Sequence, residues 1–196
     1  MINIGLSKGR IEEDFFKILE EKYIVDKNFN YGRNLLVKLN DLNIYLVKSL
    51  DICGLLDNGF IDIGIIGSDV IEENNNNSYI ELLDLNTGIC NFALASLPSK
   101  RISEISTIAT KYPNIARKLL EEIKLNCEIV KMNGSLELAP LIGYSDAIID
   151  LVQTGNTLKA NGLVELKRLE KISTKIICKS NIKDNNKIKQ LINQLK

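Results

Sequence analysis

The chain has 196 residues, enough to bury a sizeable core as one domain or as two small lobes. Its 25 basic and 25 acidic residues cancel, so no overall field holds nucleic acid or an anionic membrane, and a polyanionic ligand needs a local basic site. No histidine is present, which excludes Cys/His and Ser/His/Asp nucleophilic machinery as well as mixed zinc sites.

The first residues, Met1 to Leu6, lack the basic segment that opens a signal peptide, and polar Ser7-Lys8-Gly9-Arg10 follows at once. No apolar run approaches the roughly 18 residues a membrane span needs. These features predict a cytoplasmic protein with neither membrane nor nucleic acid as partner.

Short apolar runs then alternate with helical patterns, the signature of an α/β protein with largely parallel sheets. Ile2 to Leu6 reads as a strand. Ile11, Phe15, Phe16, Ile18 and Leu19 recur at helical spacing, with Glu12, Glu13, Lys17 and Glu20 on the other face. Leu35 to Leu39 and Asn43 to Val47 read as a hairpin around Asn40 and Asp41. A helix from about Asp51 to Asn58 precedes a buried strand, Ile61 to Ile66, after which Ser68 or Asp69 is expected to cap the next helix. The tract Asn74 to Asn77 reads as a solvated loop. Cys53, Cys90, Cys127 and Cys178 form no C-x-x-C pair, so they are expected to be reduced packing residues.

After Leu82 to Leu85 and Phe92 to Ala95 a second β/α series starts near Ile108, which places a crossover into a second lobe near Gly88. Pro113 suits the first turn of a helix reaching about Ile123, Glu128 to Met132 is a strand, and Ser135 is expected to cap a short helix limited by Pro140. Ala147 to Leu151 is another buried strand. Leu163 to Ile172 and Thr174 to Cys178 return the chain to the first lobe, where Ile182 to Leu195 forms a terminal helix. The boundaries predicted are residues 1–88 with 170–196 for one lobe and 89–169 for the other.

The most informative segment runs from Ala147 to Asn161: buried strand, acid, tight loop, helix start. Such a strand aims several backbone N–H groups at one point, and the helix dipole adds positive potential there. Thr154 and Thr157 add hydroxyls, Gly155 permits a left-handed turn, and Asn156 and Leu158 complete the cradle for a phosphate monoester. Asp150, at the strand's end, is placed to accept hydrogen bonds from a vicinal diol. Phosphate and diol together describe ribose 5-phosphate. The competing reading is structural, with Asp150 as a loop cap and residues 154–157 as a plain turn.

With these residues placed, the chain resembles the short-form ATP phosphoribosyltransferases of histidine biosynthesis over nearly its whole length. The resemblance rests on Leu6 to Arg10, Asp62 to Val70, Ala109 to Asn114, Asn133 to Pro140, and Asp150 to Asn161. It departs at Ser7, where the family usually has proline, and at Lys48, where it usually has arginine. Phosphoribosyltransferases of the common type carry two adjacent acids after the strand; here Leu151 follows Asp150.

The resemblance implies two α/β lobes like those of type II periplasmic binding proteins, with substrates in an interlobe cleft. It also implies attack of the ATP adenine N1 on C1 of 5-phosphoribosyl 1-diphosphate, with Mg²⁺ carried mainly by the diphosphate. Lys8 and Arg10 are then expected to contact diphosphate or triphosphate, Lys48 and Arg33 to assist, and Glu137 to orient ribose or diphosphate. No general base and no protein metal ligand is assigned. Because the chain stops at Lys196, a separate regulatory subunit similar to the histidyl-tRNA synthetase catalytic core is expected as partner in a hetero-oligomer. Two alternatives stay open: a non-catalytic two-lobed ligand-binding module, and a phosphoribosyltransferase acting on another acceptor.

Overall fold

The computed structural model describes residues 1–74 and 78–196, so the asparagine tract assigned to a solvated loop lies, beyond Asn74, outside the described residues. Two compact units divide the chain: residues 1–88 with 173–196, and residues 89–172. Residues 170–172, placed in the first lobe by the sequence pattern, end a strand of the second unit.

The first unit holds β1 (Ile2–Ser7), α1 (Arg10–Glu21), β2 (Leu36–Leu39), β3 (Leu42–Val47), α2 (Ser49–Asp57), β4 (Ile63–Gly67), α3 (Ser68–Glu73) and β5 (Tyr79–Asp84). After an excursion through the second unit it is completed by β11 (Thr174–Lys179) and α7 (Asn186–Leu195). Its six-stranded sheet has the order β2-β3-β1-β4-β11-β5. Ile2, Ile4 and Leu6 alternate along β1 and bury one face against Phe15, Phe16 and Leu19 of α1 and Ile188, Leu191 and Leu195 of α7. Ile52, Cys53 and Leu56 of α2 cover the opposite face with Ile66 and Val70.

The second unit comprises β6 (Cys90–Ser96), β7 (Thr107–Thr110), α4 (Pro113–Glu122), β8 (Glu128–Lys131), α5 (Leu138–Leu141), β9 (Ala147–Val152), α6 (Asn156–Ala160) and β10 (Val164–Ile172). The sheet order is β10-β6-β9-β7-β8. Ile115, Leu119 and Leu120 of α4 cover one face, while Leu136, Ala139 and Leu158 cover the other.

The sheets are mixed rather than largely parallel. Among the described residues the β1–β3, β1–β4, β7–β8 and β7–β9 pairs are parallel, and the remaining five pairings are antiparallel. The βαβ portions keep the parallel direction, and β5, β6, β10 and β11, the strands flanking the two passages between units, all pair antiparallel. An apolar run reports burial and says nothing of direction, which is why the alternation misled.

Two cap assignments also change. Gly67, extended at φ −68°, is the N-cap of α3, so Ser68 and Asp69 fall inside its first turn. Ser135 lies three residues before α5 at φ +52°, and its carbonyl accepts from Leu138 N–H at 3.1 Å. Glu137 occupies the N-cap, and Pro140 lies within the helix rather than limiting it. α7 starts at Asn186, later than Ile182, because Ser180–Ile182 forms a 3-10 turn and the Asn185 side chain accepts from Lys187 N–H. None of the four cysteines forms a disulfide. No helix of the described residues is long and apolar enough to cross a membrane.

Candidate active site

In an open α/β sheet, ligands gather where outgoing connections from neighbouring parallel strands part to opposite sides. In the first unit that point lies at the carboxyl ends of β1 and β4. In the second it lies between β7, which leads outward to β8, and β9, which leads the other way to β10. The loops at these points are Lys8–Gly9 after β1 and Gln153–Gly155 after β9.

The β9 loop is built as its residues require. Gly155 stands at φ +75°, the left-handed region that a side chain strains, and serves as N-cap of α6. Beyond Asn156, the first amides of that helix have no acceptor a turn earlier and remain available to a ligand. Thr154 Oγ1 accepts from Asn156 N–H at 3.4 Å, a contact that closes the turn at the helix start. Leu158 is buried and anchors the loop, while Thr154, Asn156 and Thr157 are exposed. Together with Glu137 and Asp150 they bound a recess of about 360 Å³.

Asp150 is the electrostatic focus of that recess. Burial pushes its carboxyl up to about 6, Glu137 adds repulsion, and both the Leu151 N–H and the charge of Lys111 oppose the rise. Its one hydrogen-bond donor among the described residues is Leu151 N–H, at 2.8 Å. A half-desolvated carboxylate with spare acceptor capacity is suited to a pair of hydroxyl donors. Lys111 was missed as a site residue in the sequence. It follows Thr110, whose pairing with Ile149 sets Lys111 alongside Asp150, and its ammonium lies 5.4 Å from the Tyr112 ring centre. The signal was its place just after a buried strand at the β7 end of the switch point.

In the first unit, Ser7 pairs with Val47, and Lys8 N–H donates to Val47 O at 2.9 Å. Lys8 and Lys48 therefore leave adjacent parallel strands side by side, both exposed. Gly9, at φ +94°, begins α1 with its N–H on Glu12 Oε2 at 2.9 Å. Arg10 is half-exposed, 4.0 Å from Asp14, and Arg33 is exposed in the 22–35 connection. Lys8, Arg10, Arg33 and Lys48 thus belong to one unit, and Glu137, Asp150, the 154–158 loop and Lys111 to the other.

A larger recess, about 500 Å³, opens between Tyr23, Asn40, Asp41 and α7 of the first unit. It sits at the amino ends of β1 and β3, away from the switch point where an open α/β sheet gathers its ligands, and Lys22, Asp41 and Lys187 are its charged lining residues.

A family model described as "HisG: ATP phosphoribosyltransferase" matches residues 48–196. The ATP phosphoribosyltransferase of Lactococcus lactis subsp. cremoris is 41% identical over 182 residues, 90% of this chain and 88% of the relative. The chain belongs to the ATP phosphoribosyltransferase family.

It is accordingly a pentosyltransferase of histidine biosynthesis. The ATP phosphoribosyltransferase of Geobacillus kaustophilus is 40% identical over 181 residues, 90% of this chain and 87% of that one. Among solved structures, the ATP phosphoribosyl transferase (HisG:HisZ) complex from Thermotoga maritima superposes with a TM-score of 0.83 at 31% identity, covering 100% of this chain and 96% of that one. The BvgS periplasmic VFT2 domain of Bordetella pertussis matches with a TM-score of 0.64 at 12% identity, over 99% and 86%. That likeness concerns the fold, which is the α/β class of the periplasmic binding proteins. The relatives' names do not favour a non-catalytic binding module.

Proposed function

We propose that the β9 loop holds the 5'-phosphate of 5-phosphoribosyl 1-diphosphate on the amides of residues 154–158, while Asp150 accepts the ribose hydroxyls. The observation that carries this reading is the juxtaposition of a left-handed Gly155 at a helix start with a carboxyl whose ordinary value is displaced to about 6. A ribose diol supplies the donors that the ionised carboxylate lacks, so ligand binding favours the charged form. Glu137 orients the sugar or its diphosphate, and Lys111 balances the two carboxylates. Lys8 and Arg10, assisted by Lys48 and Arg33, contact the diphosphate or triphosphate.

Adenine N1 of ATP supplies a lone pair to C1 as the C1–O bond breaks and its electron pair leaves with diphosphate. N1 carries no proton to remove, so alignment and charge stabilisation take precedence over a base at that atom. A chain without histidine is equipped for this. Mg²⁺ belongs to the same reading: carried by diphosphate and water oxygens, it needs few protein ligands, and the partly exposed Glu137 carboxylate offers a hard oxygen. It would neutralise charge on the departing diphosphate. The reading places the enzyme in the cytoplasm with its nucleotide substrate.

The match to the HisG:HisZ complex over nearly the full length of both chains supports a hetero-oligomer with a regulatory subunit. We assign that partner the likeness to a histidyl-tRNA synthetase core. Two measurements test these proposals. A panel of purine and pyrimidine nucleotides offered with phosphoribosyl diphosphate, partner subunit present, should yield product with ATP alone. Preference for another base would overturn the acceptor assignment. Full activity and full histidine inhibition of the isolated chain would overturn the partner.

A further inference from the structure

The connection from α1 to β2, residues 22–35, is held more firmly than its polar tip requires. Tyr31 stacks on Phe16 with centroids 4.5 Å apart, and Phe29 lies 6.0 Å from the same ring. Both rings press the loop onto α1, whose Phe16 is buried. From that stack the Tyr31 hydroxyl donates to Glu12 Oε1 at 2.6 Å. The other Glu12 oxygen is the one that accepts from Gly9 N–H. Burial first, and then this bond, pushes Tyr31 up to about 12, so its hydroxyl stays a donor at neutral pH.

A glutamate in the first turn of a helix accepts the N-cap N–H without help from elsewhere. Here its second oxygen takes a donor nineteen residues further along the chain. One carboxylate consequently joins two basic segments: Gly9 stands between Lys8 and Arg10, and Arg33 follows Tyr31 by two residues. Asn34 N–H donates to Tyr31 O at 3.3 Å and closes the chain around Arg33. Cations left to themselves repel and wander on long side chains, so a rigid backbone beneath them lowers the ordering required when an anion arrives.

We propose that Tyr31 and Glu12 are positioning residues that hold the backbones of Lys8, Arg10 and Arg33 in one arrangement for the polyphosphate chain of a substrate. The inference rests on the assignment of those cations to substrate phosphate. It adds a tyrosine–carboxylate–amide line that fixes them.

Tyr31→Phe keeps the ring and its stack and removes only the hydroxyl. The variant is assayed in complex with the regulatory subunit, with KM measured separately for phosphoribosyl diphosphate and for ATP alongside kcat and melting temperature. KM for one substrate rises about tenfold while kcat and melting temperature stay near the parent values. The substrate affected identifies which polyphosphate the cations hold. Glu12→Gln gives a shift in the same KM, and the double variant exceeds neither single change, because both act along one line. The proposal is overturned if both KM values are unchanged while Thr154→Ala is impaired, if the two effects add fully, or if kcat and melting temperature fall with KM intact. If Thr154→Ala is silent too, the phosphate assignment itself has failed, and this inference with it.

Discussion

The loops after β1 and β9 occupy equivalent places in their sheets and solve different problems. After β1 the chain exposes cations and braces their backbone through Glu12 and Tyr31. After β9 it offers amides, hydroxyls and a carboxylate whose charge is uncomfortable without a ligand. A sugar phosphate needs shape and neutral donors around it, whereas a polyphosphate chain needs mobile positive charge on a fixed base. On the proposed reading, two switch points of one architecture would take on different substrate chemistry through loop residues alone.

Changes confined to the β9 loop test its half of that contrast most severely. Gly155→Val forces a branched side chain into φ +75°, so the cradle is lost and KM for phosphoribosyl diphosphate rises about a hundredfold, while circular dichroism remains that of the parent. A parent-like KM would mean that the loop holds no phosphate.

Asp150→Asn separates function from stability. The folded value, about 6, lies above the ordinary 3.8, so ionised Asp150 costs stability at neutral pH, and the parent gains stability as pH falls through 6 toward 4. The variant should lose about tenfold in kcat/KM for phosphoribosyl diphosphate, yet at pH 7.5 be more stable by on the order of 1–2 kcal/mol in urea unfolding. Parent kcat/KM for phosphoribosyl diphosphate, which reports the free enzyme, should also fall below pH 6 as the carboxyl protonates. An acid limb near 4 would contradict the burial argument.

At the far end of β9, Asp146 accepts from Lys100 at 2.8 Å and from Ser106 N–H at 2.9 Å, bonds that hold its carboxyl far below the usual range. Its depressed value gives stability that is present above pH 4 and lost in stronger acid. Asp146→Ala should cost about 1–3 kcal/mol in denaturant unfolding with both KM values intact, which marks that end of the strand as a brace.

The smallest expected effect is at Lys111. Lys111→Met removes the one cation that opposes protonation of Asp150, so the acid limb moves upward in pH, and KM for phosphoribosyl diphosphate rises about twofold. An unmoved limb would place Lys111 outside the site.

Much of this was legible beforehand. The strand at residues 147–152, the glycine turn and the terminal amphipathic helix follow from burial, left-handed geometry and 3.6-residue periodicity, all local properties. Tyr31 was not legible as a partner of Glu12, since nineteen intervening residues carry no periodic sign of the contact. Lys111 stood in the Ala109 to Asn114 segment without a site role until the pairing of β7 with β9 set it beside Asp150.

The sequence by itself determined which segments become strands and helices, where a glycine turn ends β9, and that histidine chemistry is excluded, because each depends on near neighbours along the chain. Only the tertiary structure decided strand direction, the charge state of Asp150 and the line joining Tyr31 to Gly9. Those depend on what long-range folding brings within a few ångströms, and desolvation and hydrogen bonding act over that range alone.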